Sequence, residues 1–194
     1  MSNCLNVKKS EIMEDAQILQ DIKSGNTDLY KQLILKYESL VAGTVIGMIG
    51  NCSEAEDIGQ EVFIRFYKAI NNFRGDSSVG TYLTRIAINL SINEIKRRKR
   101  KNLFFKPNNE QILDIVDTES KSDYDDSREM VQKAIQKLEP KFRSVIVLRL
   151  IDGYSTDETA KTLNIPLGTV LSRLSRGQQK LKELLSPLME INNG

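Results

Sequence analysis

The sequence predicts an all-α protein: two small helical domains joined by a flexible acidic linker. Three observations predict it. Apolar residues recur at helical spacing, most clearly at Ala55, Ile58, Val62, Phe66 and Ile70. Helix-start and helix-stop signals punctuate nearly every patterned segment, among them Ser155 with Glu158, Pro140, Gly25 and Gly50-Asn51. Charge is segregated behind a bland net +2 over 194 residues. Lys96, Arg97, Arg98, Lys99, Arg100 and Lys101 form an unbroken basic run; beyond it Glu110, Asp114, Asp117, Glu119, Asp123, Asp125 and Asp126 face a single Lys121.

In chain order, residues 1–14 form an N-terminal extension. A short helix spans residues 15–24 and Gly25 stops it. Thr27 can cap a long helix through Ile49, with Leu33, Leu35, Tyr37, Leu40 and Val41 as apolar contacts. Its weakly polar end, residues 40–49, is too short to span a bilayer and reads as a buried helix. Ser53 with Glu56 has capping-box spacing and opens a helix to about Ile70. Residues 71–80 are rich in Gly, Asn and Ser and read as a loop. The next helix, residues 81–100, carries Leu83, Ile86, Ala87 and Leu90 on one side and Arg85, Asn89, Asn93, Lys96, Arg97 and Arg100 on another. Residues 15–101 thus make the first domain and residues 102–127 the linker, in which Leu113, Ile115 and Val116 are the apolar exception.

The second domain covers residues 128–186. Ser127 caps a helix to Leu138, and Pro140 opens another that ends before Gly153. Ser155 and Glu158 start a third helix. Asn164-Ile165-Pro166 breaks it, because the residue before a proline is pushed out of the α region. A last helix runs from about Leu167 to Pro187, leaving residues 187–194 as a tail. Two short helices around a three-residue break form a helix-turn-helix, whose second helix enters the DNA major groove. On that helix Val170, Leu174 and Leu181 face inward; Thr169, Ser172, Arg173, Arg176 and Lys180 face outward. Arginine can grip guanine O6 and N7 with two hydrogen bonds or clamp a phosphate.

Whole classes of function are disfavoured. Histidine is absent, and there is no P-loop, no dinucleotide fingerprint and no nucleophile elbow, so an enzyme, a metal site or a cofactor is not expected. Cys4 and Cys52 lack metal-ligand spacing and suit a reduced, cytoplasmic protein. No signal peptide or membrane-embedded segment is expected. The basic run beside an acidic stretch points to nucleic acid, although cations opposing a helix macrodipole would give the same run.

The motifs carry a resemblance. Residues 55–67, AEDIGQEVFIRFY, are similar to the core-polymerase-binding helix of bacterial sigma factors. Residues 73–89, FRGDSSVGTYLTRIAIN, running into IKRRKR at 95–100, look like the promoter −10 element of that family. Residues 165–176, IPLGTVLSRLSR, resemble its −35 reader. The short two-domain chain resembles the extracytoplasmic-function (ECF) class. The resemblance implies an alternative sigma factor that binds core RNA polymerase through Asp57, Gln60, Glu61 and Phe63. It implies −10 contacts from Phe73, Arg74, Tyr82, Arg85, Asn89, Asn93, Lys96, Arg97 and Arg100 to a melted strand. It implies −35 contacts from Thr169, Leu171, Ser172, Arg173, Arg176 and Lys180 to duplex DNA. Promoter DNA, core polymerase and an anti-sigma factor are the implied partners, with no small-molecule substrate. The linker is expected to thread the polymerase.

The chain departs from the family's pattern in places. Tyr82 stands where Trp is usual, Ile88 where Arg is frequent and Asn93 where Asp is frequent. Leu171 and Gln178 stand where cations are common, which lowers the attraction to phosphates, and Leu171 can touch a thymine methyl. Gly177 within the reading helix costs about 1 kcal/mol relative to Ala and allows a bend. A polymerase-independent helix-turn-helix regulator and an inactive polymerase-binding decoy are the rival readings.

Overall fold

The computed structural model describes residues 14–105 and 123–191. Most of the extension, most of the linker with Leu113, Ile115 and Val116, and the last residues of the tail lie outside the described residues. No strand occurs among the described residues. The first unit comprises α1 (residues 14–23), a 3-10 turn Thr27–Leu29, α2 (Tyr30–Ile49), α3 (Ser53–Ala69), a 3-10 turn Ile70–Asn72 and α4 (Val79–Phe105). The second comprises α5 (Asp123–Lys137), α6 (Pro140–Ile146) running into a π turn Val147–Ile151, α7 (Thr156–Leu163) and α8 (Leu167–Ile191).

Helix α2 is the hub. By length and composition alone Thr27–Ile49 could cross a membrane, but here Leu33, Val41, Val45, Met48 and Ile49 are buried within the bundle. Val62 and Phe66 of α3, and Leu83 and Ala87 of α4, complete that core, as the helical spacing predicts. A charged clasp holds α1 in place. The buried Asp15 accepts from the Tyr37 hydroxyl and from Lys36 Nζ at 2.8 Å.

Capping differs between two identical spacings. Ser155 closes a full capping box: its Oγ accepts from Glu158 N at 3.2 Å, and Ser155 N donates to the Glu158 carboxylate at 2.8 Å. Ser53 and Glu56 do not repeat it. Cys52, extended at φ −151°, is the N-cap, so Ser53 is already helical and its hydroxyl turns to Glu54. Helix α5 starts at Asp123, ahead of Ser127. Helix α8 continues past Pro187 to Ile191.

Gly177 answers to packing. A Cβ there would stand 3.0 Å from Ile146 Cγ1 and 3.5 Å from Phe142 Cβ, so glycine lets α8 press onto α6. The two units also pack on each other, and one hydrophobic cluster runs from Leu33 and Met48 to Phe142, Ile146 and Leu148.

Candidate functional site

Three surfaces carry the residues singled out by the sequence. The first is the outer face of α3. Asp57 and Gln60 are exposed; Glu61 and Phe63 are half-buried. Glu61 pairs with Arg65 one turn on, at 2.7 Å. Beside them lies an apolar groove of about 440 Å³, with Tyr30 and Ile34 of α2 on one wall and Gln60, Phe63, Ile64, Tyr67 and Lys68 of α3 on the other. The Tyr30 hydroxyl donates to Phe63 O and the Tyr30 ring meets Tyr67 edge-on at 4.9 Å, which sets the groove's shape. Burial pushes the Tyr30 phenol well above its ordinary value, so it stays neutral. Ile64 and Tyr67 are 47% and 45% exposed, which is unusual for large apolar side chains on a packed helix. Ile64 is not among the residues that the sequence singles out. Its one signal there is that a large aliphatic residue falls off the stripe from Ala55 to Ile70.

The second surface is the outer side of α4 with the loop before it. Phe73 and Tyr82 face each other edge-on at 5.2 Å and both rest on Phe66. They are half-buried, so they fix the loop while offering an edge to solvent. Ser78 Oγ accepts from Thr81 N at 3.2 Å at the start of α4. Arg74, Asn89, Asn93, Lys96 and Arg100 are exposed. Their helical spacing places Arg85, Asn89, Asn93, Lys96 and Arg100 along one side of α4.

Arg97 and Arg85 are engaged elsewhere. Arg97 pairs with Glu94 at 2.7 Å and reaches Glu54 at 3.8 Å; its hydrogen bond to Glu94 holds that carboxyl below the usual range. Arg85 donates to Lys161 O of α7 at 2.9 Å. Ile88 is fully buried, so an arginine at this position would have to leave water in this structure.

The third surface is α8. Asn164 adopts the left-handed conformation at φ 52°, ending α7 and turning the chain into α8. Val170 is fully buried, and Leu174 and Leu181 are half-buried behind it. Leu171, Ser172, Arg176 and Lys180 are exposed, while Thr169 and Arg173 are half-buried. Lys180 Nζ sits 5.8 Å from the Phe142 ring centroid, a contact loose enough to leave its charge outward. Leu171 is 49% exposed, an apolar group among polar and cationic neighbours.

Sigma-70 region 2 matches residues 33–101, and Sigma-70, region 4 matches residues 128–181. The RNA polymerase sigma-H factor of Pseudomonas aeruginosa is 31% identical over 185 residues, covering 91% of this chain and 96% of the relative. The ECF RNA polymerase sigma factor SigW of Bacillus subtilis is 34% identical over 186 residues, covering 88% and 96%. Among solved structures, the sigma factor RpoE from Bartonella quintana, in complex with the anti-sigma factor NepR, shares the fold at TM-score 0.65 and 23% identity, covering 81% of this chain and 96% of that one. CnrH, in complex with the cytosolic domain of CnrY, shares it at TM-score 0.64 and 24% identity, covering 88% and 96%. With both regions matched in order and relatives aligned over nearly their whole length, the chain belongs to the sigma-70 family of RNA polymerase sigma factors, in its ECF group.

Proposed function

We propose that this protein is an alternative sigma factor that binds core RNA polymerase and directs promoter-specific initiation, with the domains divided at residues 15–101 and 128–186. The observation that carries the reading is that one chain presents an acidic and apolar face on α3, a stripe of amides and cations on α4, and an outward polar face on a helix-turn-helix. A polymerase-independent regulator needs only the last of these.

In this reading α3 docks on a helical element of the polymerase. Asp57, Gln60 and Glu61 supply polar contacts, and the groove beside Phe63 takes an apolar side chain. Asn89 and Asn93 pair with edges of an opened −10 strand, while Arg74, Lys96 and Arg100 hold its phosphates. Thr169, Ser172, Arg173, Arg176 and Lys180 hold the −35 duplex, and Leu171 lies against a base methyl. The protein acts in the cytoplasm with the polymerase, performs no catalysis itself, and answers to an anti-sigma factor.

The test is transcription of a pooled promoter library by core polymerase plus the purified chain, followed by sequencing of the transcripts. Specific starts that share upstream −35 and −10 elements are expected. Polymerase binding without transcripts would point to a decoy, and absence of polymerase binding to a plain DNA-binding regulator.

A further inference from the structure

Helix α8 has two unlike flanks. The buried Val170 and Gly177, with the half-buried Leu174 and Leu181, mark its inner side. At 3.6 residues per turn, Thr169, Arg173, Arg176 and Lys180 follow one flank of that side, and Leu167 and Leu171 follow the other. Gly168, Ser172, Ser175 and Gln179, all exposed, run between the flanks and face away from the core. From residue 167 to residue 180 the helix thus presents a cationic flank, a ridge of small and polar groups, and an apolar flank.

Packing does not require the apolar flank. Val170 is fully buried, whereas Leu167 stays 43% exposed and Leu171 about as much. One exposed leucine needs no account. Two of them one turn apart, at the leading end of the second helix of a helix-turn-helix, lie where such helices meet base edges. As far as Gln179 no cation shares their flank: the exposed Gln178 continues it, and Arg173 and Arg176 lie across the helix.

The thymine 5-methyl is the apolar group that bases offer in the major groove. A helix seated there with its cations over the phosphates of one strand turns its other flank toward the opposite wall of the groove. Four residues at about 1.5 Å each set Leu167 and Leu171 about 6 Å apart, just under two base steps of about 3.4 Å. We propose that Leu167 and Leu171 are specificity-determining residues for thymine. The −35 element then holds two thymines, on neighbouring or next-but-one base pairs, whose methyls seat against these leucines, while Arg173, Arg176 and Lys180 hold phosphates. This selectivity rests on the reading of α8 as the −35 helix.

The test removes the methyls from the DNA and leaves the protein's fold untouched. Core polymerase carrying the full chain is bound to promoters recovered from the pooled library, and each −35 thymine in turn is replaced by uracil. Uracil lacks the 5-methyl and keeps the base pair. At two positions the replacement is expected to weaken binding about threefold to fourfold, the worth of one methyl-sized group removed from water. In Leu171→Ala one of these positions is expected to become indifferent to uracil, and in Leu167→Ala the other. Helical circular dichroism and the salt dependence of binding are expected to match the parent in both variants.

Indifference to uracil at every −35 position would overturn the methyl reading, as would uracil effects that persist at full size in both leucine variants. A single sensitive position, lost in Leu171→Ala alone, would overturn the role of Leu167. Promoters that share no −35 element, or whose binding ignores Arg173→Ala with Arg176→Ala, would overturn the assignment of α8 itself and take the thymine reading with it.

Discussion

Ser155 shows how far a single side chain reaches. Its hydroxyl and the Glu158 carboxylate satisfy two donors at the start of α7, and α7 packs against α8, the helix proposed to read −35. Ser155→Ala is expected to cost about 1 kcal/mol, read as a lower midpoint in urea unfolding with the slope unchanged. At the reading surface, Arg173→Ala with Arg176→Ala is expected to weaken −35 duplex binding across sequences. It should also flatten the dependence of log affinity on log salt by about two, one for each phosphate that is no longer neutralised. An unchanged slope would place both guanidinium groups away from the backbone. The cap was legible because both partners lie three residues apart in one chain segment. The same spacing at Ser53 and Glu56 misled, because Cys52 one residue earlier had taken the cap. Gly177 misled differently: propensity sees a missing methyl group, and only the packed structure shows Ile146 occupying its place.

At the scale of an element, α3 divides its faces between the core and solvent. Val62 and Phe66 are fully buried, while Asp57, Gln60, Ile64 and Tyr67 remain exposed on the other side. Asp57→Lys with Glu61→Lys is expected to reduce core polymerase affinity on the order of 100-fold, because like charges set against a partner cost several kcal/mol. Tyr67→Ala is expected to lose about 1–2 kcal/mol of that affinity through apolar area alone. The charge reversal should keep close to the parent melting temperature, whereas Tyr67→Ala also loses the edge contact with Tyr30 and is expected to lower it slightly; pull-down with core polymerase beside a thermal melt separates the two effects. Periodicity made α2, α3, α4 and α8 legible, and the Asn164-Ile165-Pro166 break made the helix-turn-helix legible. Helix ends were less so. Helix α5 begins four residues before Ser127, in a stretch whose acidic composition reads equally as linker or as first turn. The groove beside α3 was not legible, because half of its wall comes from Tyr30 and Ile34 of another helix.

Across the whole molecule, the seam between the units lay beyond the sequence. It is built from isolated groups, Thr44, Thr84, Gln132, Arg143, Asp152 and Tyr154, that share no period and lie as much as 108 residues apart. Arg143 acts as its bolt. Only 7% exposed, it donates to Leu138 O at 2.9 Å at the end of α5 and to Met48 O at 2.6 Å near the end of α2. Burial pushes its guanidinium down to about 10, and it remains charged at physiological pH. Asp152 is the titrating member. Burial raises its carboxyl from 3.8 to about 6, against the opposing effect of the Thr44 hydrogen bond. The geometry supplies a reason for that direction. Thr44 has one hydroxyl proton, and both Leu40 O and the Asp152 carboxylate lie 2.9 Å away to accept it. A protonated Asp152 can donate to Thr44, leaving Thr44 free to donate to Leu40. A group whose pKa is raised by docking favours the docked state fully below the undocked value. That contribution is lost as pH rises through the docked value, here between about 4 and 6, and is flat above. Docking is therefore expected to weaken from pH 5 to pH 7.5, by on the order of 1–3 kcal/mol if Asp152 reverts to an ordinary carboxylate on opening. The Tyr154 phenol, pushed up by burial, stays neutral throughout. Asp152→Asn supplies a permanent donor to Thr44, so its docking should be tighter at neutral pH and insensitive to pH over this window. Energy transfer between dyes placed on the two units, followed from pH 5 to pH 8 in the parent and in Asp152→Asn, reads this directly. Parallel curves for the two proteins would remove Asp152 from the seam's energetics and leave Arg143 and the close approach of Val147 to Gly47 to hold the units together.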